Sequence, residues 1–237
     1  MAQDHAAPPQ PKASIICLEG ASAAGKTTLS RAIAERTGAG VIGEVWTLFE
    51  RPSPEPQLWD LERQVDRWLL AAESAAKHGL AILDGDPFQP LWYGWAYRFA
   101  EFQSLSTMTS FYREAVTAGR LAFPDRYILL AVAEPVLHER KRGDASRSRR
   151  NFAKHVSLLH YQPRYFAAMN AVRPGLAHVL DASAPAATLA EIVISLIGPQ
   201  HKATDSLALF QQLADRLKMT VPKPALLSKV TSSLTIS

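Results

Sequence analysis

The sequence predicts an α/β protein: a three-layer α/β/α sandwich around a five-stranded parallel sheet, with a helical extension at the C-terminal end. Five short apolar runs alternate with longer segments in which apolar residues recur at helical spacing. The apolar character of these runs is nearly continuous, as expected of strands that are covered on both faces. The segments between the runs are long enough for the crossovers that parallel pairing requires.

Strands are predicted where short apolar runs rich in β-branched residues end in glycine or polar residues. The first run, SIICLEG, ends at Gly20, and the third, LAILDGD, follows Gly79. We expect the second strand to lie beside the first in the sheet. The five predicted strands cover residues 14–20, 39–45, 80–86, 127–135 and 176–183.

Helices are predicted where apolar residues recur every three or four positions and a stop signal follows. The clearest example is 57–78, in which Leu61, Val65 and Trp68 share one face and Gly79 lies just past the end. The segment from 87 to 102 is dense in aromatic residues and less regular. Predicted helices cover 26–37, 57–78, 106–119, a short stretch after the fourth strand, 152–172, 186–197 and roughly 205–219.

The length and composition predict one large domain with an appendage. The chain has 237 residues, of which 47% are apolar. We expect a disordered leader at 1–13, a single domain at 14–198, and a C-terminal helix and polar tail at 199–237, for which the sequence indicates no function. No apolar run approaches the ~18 residues of a membrane span, and the single cysteine, Cys17, excludes an internal disulfide. We therefore expect a cytoplasmic protein with no membrane partner.

Positive charge is concentrated in one segment. Seven Lys/Arg and two acidic residues lie between His138 and Lys154, which gives that segment a charge of +5. The other 19 Lys/Arg and 20 Asp/Glu residues sum to −1. One basic segment on a nearly neutral body favours a local phosphate clamp over a broad nucleic-acid surface. We therefore expect a small-molecule partner and no nucleic acid.

The loop after the first strand carries the strongest functional signal. Residues 20–28, GASAAGKTT, have the spacing G-x-x-x-x-G-K-[ST], with a predicted strand before them and a helix after them. Such a loop wraps its backbone N–H groups around a phosphate. We predict that Lys26 reaches the β- and γ-phosphates and that Thr27 holds Mg²⁺; the alternative is a Gly/Ala-rich turn with a coincidental lysine. The predicted nucleotide-binding residues of this loop are Gly20, Ala21, Ser22, Ala23, Ala24, Gly25, Lys26, Thr27 and Thr28.

Three carboxylates lie where predicted strands end. Asp84, at the end of the third strand, is the candidate second anchor for Mg²⁺, because parallel strands deliver ligands at their carboxyl ends. Asp86 could share that work or contact the substrate, or it could only cap the loop before Pro87. Glu44 ends the second strand and is the candidate base for a hydroxyl acceptor, unless it is simply an exposed strand-end glutamate.

The basic segment predicts a lid over the transferred phosphoryl group. Arginine suits this role because its planar fork is permanently charged. We place the lid at about 138–151, with Gly143 as a possible hinge, and name Arg142, Arg147 and Arg149 as its catalytic cations. The alternative for several of these side chains is a solvated helix face.

The acceptor site is predicted from aromatic residues. Aromatic rings stack on flat ligands and make rigid apolar walls. Trp92, Tyr93 and Trp95 follow the third strand, where this architecture opens its crevice, and Trp46 follows the second. Gln64, on the long helix, is a further candidate for substrate contact. The alternative for each aromatic residue is ordinary core packing.

Taken together, residues 14–198 resemble the P-loop kinases of small metabolites, in particular deoxynucleoside and thymidylate kinases and chloramphenicol phosphotransferase-like enzymes. GEVW at 43–46 is similar to the acid-plus-tryptophan pattern of deoxynucleoside kinases, RKRGDASRSRR at 140–150 to their arginine-rich lid, and LDAS at 180–183 to the loop that abuts adenine. The resemblance thus implies adenine contacts from Asp181, Ala182 and Ser183. One departure is Gly85, which stands where these kinases usually have an arginine after the acid.

The resemblance implies a kinase that uses ATP and Mg²⁺ and transfers the γ-phosphoryl group to a hydroxyl of a nucleoside or an antibiotic-like compound. The sequence does not fix the oligomeric state, and a homodimer is one possibility. One alternative is a nucleoside monophosphate kinase, and another is a P-loop nucleotide switch. The switch is disfavoured, because the sequence has no Asn-Lys-x-Asp motif and no Leu-Ser-Gly-Gly signature. A nucleic-acid end-processing kinase is disfavoured, because its basic surface should extend well beyond the lid.

Overall fold

The computed structural model describes residues 13–99, 103–143, 152–197 and 206–220. The predicted leader, except for its last residue, lies outside these ranges, as do Arg147, Arg149 and the tail after residue 220. Within them, no helix combines the length and the apolar character that a bilayer crossing needs.

The five strands form one sheet in which every neighbouring pair is parallel, so the predicted fold class is confirmed. The strands are β1 (Ser14–Gly20), β2 (Gly40–Ile42), β3 (Leu80–Asp84), β4 (Arg126–Ala131) and β5 (Ala177–Asp181). Their order across the sheet is β2-β3-β1-β4-β5.

Ten α-helices and one short 3-10 helix (Leu158–His160) lie in the described ranges. The helix α4 occupies the aromatic segment that the sequence left irregular. The helices are α1 (Lys26–Thr37), α2 (Val45–Leu48), α3 (Trp59–His78), α4 (Gln89–Ala96), α5 (Leu105–Thr117), α6 (Glu134–Gly143), α7 (Phe152–Ser157), α8 (Gln162–Val172), α9 (Ala186–Leu196) and α10 (Ser206–Met219).

Helices cover both faces of the sheet, which gives the three predicted layers. Alternate residues of β1 point to opposite faces. Ile15 and Cys17 belong to a core formed with α3, α4, α5, α8 and α10. Ile16 and Leu18 belong to a second core formed with α1, α6, α7 and α9. The strands are thus buried on both sides, as their continuous apolar character predicted.

The prediction that the second strand lies beside the first is wrong, because β3 lies between β1 and β2. The strand β2 is only three residues long and partly exposed, with Val41 at 40% exposure, which suits an edge. The five residues of β3 are all buried, which suits the interior of the sheet. The sequence that follows β2 therefore reaches the site from the outer side of β3.

The segment predicted as one helix at 152–172 is divided in the structure. The helix α7 ends at Ser157, a 3-10 turn follows, and α8 begins at Gln162. Pro163 lies in the first turn of α8. Proline has no backbone N–H and cannot continue an incoming helix, but it is well tolerated in the first turn of a new one.

The C-terminal helix α10 is packed into the first core, against α5 and α8. Leu209, Phe210 and Leu213 are buried, and the Phe210 ring stacks on Phe88 at 6.0 Å between centroids. Beyond the helix, the Thr220 carbonyl accepts a hydrogen bond of 3.2 Å from Trp95 Nε1. The helix therefore supports α4 and the turn that precedes it.

We predict that Phe210→Ala lowers the free energy of unfolding by about 3–5 kcal/mol, since a fully buried ring would leave a cavity. Denaturant unfolding followed by circular dichroism would measure the change. Met219→Ala, at a position of the same helix that is 79% exposed, is the control and should change stability by less than about 0.5 kcal/mol. Equal effects of the two substitutions would contradict the packing of α10 described above.

Candidate active site

The loop between β1 and α1 lies at the carboxyl edge of the sheet and needs glycine at two positions. A side chain on Gly20 would approach the Leu130 carbonyl and the Ala24 Cβ to 3.0 Å, and its φ is +150°. Gly25 has a φ of +103° directly before α1. Glycine alone adopts such angles without strain. The loop thus holds its backbone close to β4 and presents the N-terminus of α1 to the crevice.

A cavity of 1190 Å³ lies over this loop and extends from Leu130, near the end of β4, to the residues that follow β2 and β5. Eight of the nine predicted loop residues line it; Gly20, the exception, lies beneath. The walls come from every layer of the fold, including α2, α3, α4, α7 and α9. This is the crevice in which open parallel sheets bind ligands.

Lys26 and Glu44 meet at the centre of the cavity. The Lys26 Nζ donates to the Gly20 carbonyl at 3.1 Å and lies 3.6 Å from Glu44 Oε1. Burial works to raise the pKa of Glu44, but the charge of Lys26 and a hydrogen bond from the Trp46 indole outweigh it, so the pKa falls below its usual value. The Glu44 carboxylate, which is half-buried at the N-terminus of α2, is therefore ionised at neutral pH.

Thr27 and Asp84 form a second contact across the loop. The Thr27 hydroxyl donates to Asp84 Oδ2 at 3.1 Å. The other carboxylate oxygen, Asp84 Oδ1, is buried and has no hydrogen-bond partner among the described residues. Burial raises the pKa of Asp84, against the opposing charge of Lys26. Because Mg²⁺ prefers oxygen ligands and usually takes few from the protein, this hydroxyl and this unpaired carboxylate oxygen fit that ion.

The described ranges contain no cluster of three or more His, Cys, Asp or Glu side chains that would bind a metal without further ligands. A cation at Thr27 and Asp84 would therefore depend on ligands supplied by water and by a nucleotide, as is usual for Mg²⁺ in phosphate sites.

Glu19, which the sequence analysis overlooked, holds the base of the loop. It is 1% exposed, and its carboxylate accepts from Gly20 N at 3.1 Å, Asp86 N at 2.7 Å and Gln162 Nε2 at 2.8 Å. Burial raises the pKa of Glu19, with Lys26 opposing. An acid inside the apolar run directly before Gly20 was the available signal, since buried carboxylates need such donors.

Of the three arginines predicted for the lid, only Arg142 lies in the described ranges, where it is exposed on α6 and does not line the cavity. Arg140, two residues earlier, does line it. Its guanidinium donates to the Ala24 carbonyl at 3.0 Å and to the Ala182 carbonyl at 2.7 Å. Arg140 therefore joins the loop at 20–28 to the loop after β5.

The segment expected to contact adenine contributes in part. Ala182 lines the cavity and Ala184 lies beside it in the wall. Asp181 is exposed and accepts from Ser183 N at 3.0 Å, so these two residues form a local turn outside the wall.

The predicted acceptor residues are divided between the cavity and the core. Trp46, Gln64 and Tyr93 line the cavity, and Trp46 is 65% exposed. Trp92 and Trp95 point away from it into the first core. They share α4 with Tyr93, and the aromatic spacing alone could not reveal which face of that helix is buried.

Asp86 also lies in the interior. Its carboxylate is fully buried and accepts from Phe88 N at 3.0 Å and from the Tyr127 hydroxyl at 2.9 Å. Burial and the neighbouring Glu19 raise the pKa of Asp86 to about 7. It therefore shapes the turn after β3 and does not line the cavity.

Several cavity residues were not predicted. The end of the cavity that holds Trp46 and Tyr93 is walled by Phe49 and Trp59, on which the guanidinium of Arg63 packs, and by His155 on α7. The His155 ring meets the edge of Tyr93, and burial lowers the pKa of His155. Arg67, on the buried side of α3, lines the cavity as well.

No protein-family model matches the sequence, and no curated protein matches it either. Solved structures match it in fold. Deoxyadenosine kinase from M. mycoides, with bound dATP, gives a TM-score of 0.50 at 18% identity over 76% of this chain and 97% of the kinase. Thymidylate kinase from Candida albicans gives a TM-score of 0.54 at 12% identity over 78% of this chain and 91% of the kinase. The chain therefore has the fold of the P-loop nucleoside and nucleotide kinases, which agrees with the resemblance seen in its sequence.

We predict that Glu19→Gln destabilises the protein by about 1–3 kcal/mol, because all three partners of the carboxylate are donors and the amide would turn an N–H toward one of them. Thermal and denaturant unfolding would measure the loss. Glu191→Gln, which removes an exposed ion pair with Arg36, is the matched control and should cost less than about 1 kcal/mol. If both variants are equally stable, Glu19 does not support the loop.

Proposed function

We propose that the protein is an ATP- and Mg²⁺-dependent kinase that transfers the γ-phosphoryl group to a hydroxyl of a small molecule, either a nucleoside or an antibiotic-like compound. The observation that carries this proposal is the pairing of Lys26 with Glu44 at 3.6 Å in one cavity. A phosphate-binding loop lines one end of that cavity and aromatic side chains line the other. Donor and acceptor can therefore meet at a carboxylate that is able to accept a proton.

The donor side supplies charge and backbone donors. The loop at 20–28 would surround the β- and γ-phosphates, with Lys26 released from the Gly20 carbonyl to bind them. Thr27 and Asp84 would hold Mg²⁺, which when bound neutralises charge on the phosphate oxygens. The Arg140 side chain would lie beside the nucleotide, and Ala182 would border the base.

The acceptor side supplies a base and flat walls. The Glu44 carboxylate would take the proton of the attacking hydroxyl. Trp46, Phe49, Trp59 and Tyr93 line this side, and rings of this kind favour an acceptor with a flat ring of its own. The two kinases of similar fold are named for a nucleoside and a nucleotide, which supports an acceptor of that kind.

A second candidate is a nucleoside monophosphate kinase. Two cationic side chains, Arg51 and Lys154, line the same cavity beside Trp59 and Tyr97. Either could bind a phosphate that the acceptor already carries. The lid arginines Arg142, Arg147 and Arg149 remain proposed cations for the transferred group. A role as a nucleotide switch would leave the aromatic walls without a ligand.

We predict that the purified protein consumes ATP in the presence of Mg²⁺ when the right acceptor is added. The panel would contain nucleosides, nucleoside monophosphates and hydroxyl-bearing antibiotics, with product detected by mass spectrometry. Lys26→Ala should lower turnover by at least about 100-fold, because it removes the cation that binds the β- and γ-phosphates. Lys77→Ala, at an exposed position of α3, should keep full activity. Tight ATP binding with no transfer to any acceptor would favour the nucleotide switch.

We predict that Glu44→Gln lowers kcat by about 10²- to 10⁴-fold while ATP binding is retained, because the amide cannot accept the hydroxyl proton. Steady-state kinetics and calorimetric titration with ATP would separate the two effects. Glu50→Gln is an informative comparison, since Glu50 lines the same cavity from the proline-rich loop. A large loss of kcat in Glu50→Gln with full activity in Glu44→Gln would assign the base to Glu50 instead.

A further inference from the structure

Arg67 is a buried cation at the junction of the site. It lies in the middle of α3 and is 1% exposed, although its guanidinium borders the cavity. No carboxylate within the described ranges lies within 4.0 Å of it. An arginine is rarely buried in this way, because removing its charge from water is costly unless its five N–H donors are satisfied.

Its first three hydrogen bonds join the ends of two strands. The pairing of β2 with β3 stops at Ile42 and Leu83. Directly beyond it, Arg67 Nε donates to the Gly43 carbonyl at 2.8 Å, and Arg67 Nη2 donates to the carbonyls of Asp84 at 2.7 Å and Gly85 at 3.0 Å. The guanidinium therefore replaces the ladder of the sheet at the point where the two chains separate.

One of these carbonyls belongs to a residue that carries the proposed chemistry, and another belongs to the neighbour of such a residue. Gly43 immediately precedes Glu44, the proposed base, and Asp84 is the proposed Mg²⁺ anchor. A shift of Arg67 would move both backbones. Gly85, which stands where the kinases that the sequence resembles usually have an arginine, is small, and a Cβ there would lie 3.9 Å from Arg67 Nη2.

The fourth hydrogen bond orients a side chain of the acceptor wall. Arg67 Nη1 donates to Gln64 Oε1 at 2.6 Å. Arginine has no acceptor, so the amide oxygen of Gln64 must face it. Gln64 lines the cavity although it is only 2% exposed, and the amide atom that Arg67 does not hold is Nε2. At this point the acceptor wall is therefore a hydrogen-bond donor.

We propose that Arg67 is a positioning residue that fixes the strand ends carrying Glu44 and Asp84 and turns the Gln64 amide so that its N–H groups face the acceptor. This inference rests on the proposed function. It implies that the acceptor presents a carbonyl oxygen to Gln64, since an amino group there would meet a donor. Asp60, which lies one turn before Gln64 on α3, lines the same wall with a carboxylate.

The acceptor-facing part is tested with Gln64→Glu and Arg67→Lys. A glutamate at 64 keeps an acceptor for Arg67 and so keeps the fold, but it offers the ligand a carboxylate in place of an N–H. We expect kcat/KM for the best acceptor to fall by about 10- to 100-fold, mainly through KM, with unchanged ATP binding. An unchanged or improved KM in a variant of normal thermal stability would overturn this part of the proposal.

Arg67→Lys keeps the charge but loses the fork that reaches three carbonyls and an amide. Uridine and cytidine, or inosine and adenosine, form suitable pairs of acceptors, in which a carbonyl and its neighbouring ring N–H are replaced by an amino group and an unprotonated ring nitrogen. The wild type should prefer the carbonyl member. Arg67→Lys should reduce that preference by about 10-fold or more, since Gln64 is free to turn. Loss of stability alone would lower both rates equally, so an unchanged ratio, or a wild-type preference for the amino member, would overturn the proposal.

A binding experiment separates this inference from the proposed function. Calorimetry with ATP, in Mg²⁺ and in EDTA, should give tighter binding with Mg²⁺ in the wild type. In Arg67→Lys, the increase in ATP affinity that Mg²⁺ causes should be about 10-fold smaller, because Asp84 is displaced. In EDTA this variant should bind ATP as the wild type does, because Arg67 makes no hydrogen bond to the loop at 20–28. Arg36→Lys, which alters an exposed ion pair, is the control. If Mg²⁺ raises the ATP affinity of Arg67→Lys as much as that of the wild type, Arg67 does not position Asp84, whether or not any acceptor is phosphorylated. If Arg67→Lys shows the reduced effect of Mg²⁺ but the wild type phosphorylates no acceptor, only the kinase assignment is contradicted.

Discussion

The peptide groups at the carboxyl edge of the sheet have to find hydrogen-bond partners without help from water. A parallel sheet that is covered by helices on both faces leaves unpaired N–H and C=O groups wherever two strands separate. Two buried ions meet this need. Glu19 accepts from the N–H groups of Gly20 and Asp86, and Arg67 donates to the carbonyls of Gly43, Asp84 and Gly85. Burying an ion is costly, and the hydrogen bonds that these side chains make offset part of that cost.

Local patterns made the position of the loop at 20–28, and of Asp84 near it, predictable. The loop at 20–28 depends on a contiguous motif between a strand and a helix, so its position could be deduced without knowing the sheet order. Asp84 followed from the rule that ligands gather at the carboxyl ends of parallel strands. The position of β2 could not be deduced, because a three-residue strand carries too little pattern to indicate which neighbour it pairs with. Glu19, with partners 67 and 143 residues away, was equally invisible.

Helix orientation explains the other differences. Arg140 and Arg142 are two residues apart on α6, so they point in different directions, and only Arg140 reaches the cavity. Tyr93 lines the cavity, while Trp92 and Trp95 pack on the opposite side of α4. The sequence showed that aromatic residues were available, but their orientation depends on contacts at the C-terminal end: Phe210 stacks on Phe88, just before α4, and Trp95 donates to the Thr220 carbonyl.

The packing of α10 has a consequence for how the chain acquires its structure during synthesis. All five strands are complete once residue 181 has been made, and the core on the α1 and α9 side can close soon afterwards. The opposite core, which contains Phe88 and the back of α4, still lacks Phe210 and its neighbours. Domains fold as units when their last essential element emerges. The end of the cavity that α4 borders is therefore completed late on the ribosome, after the loop at 20–28.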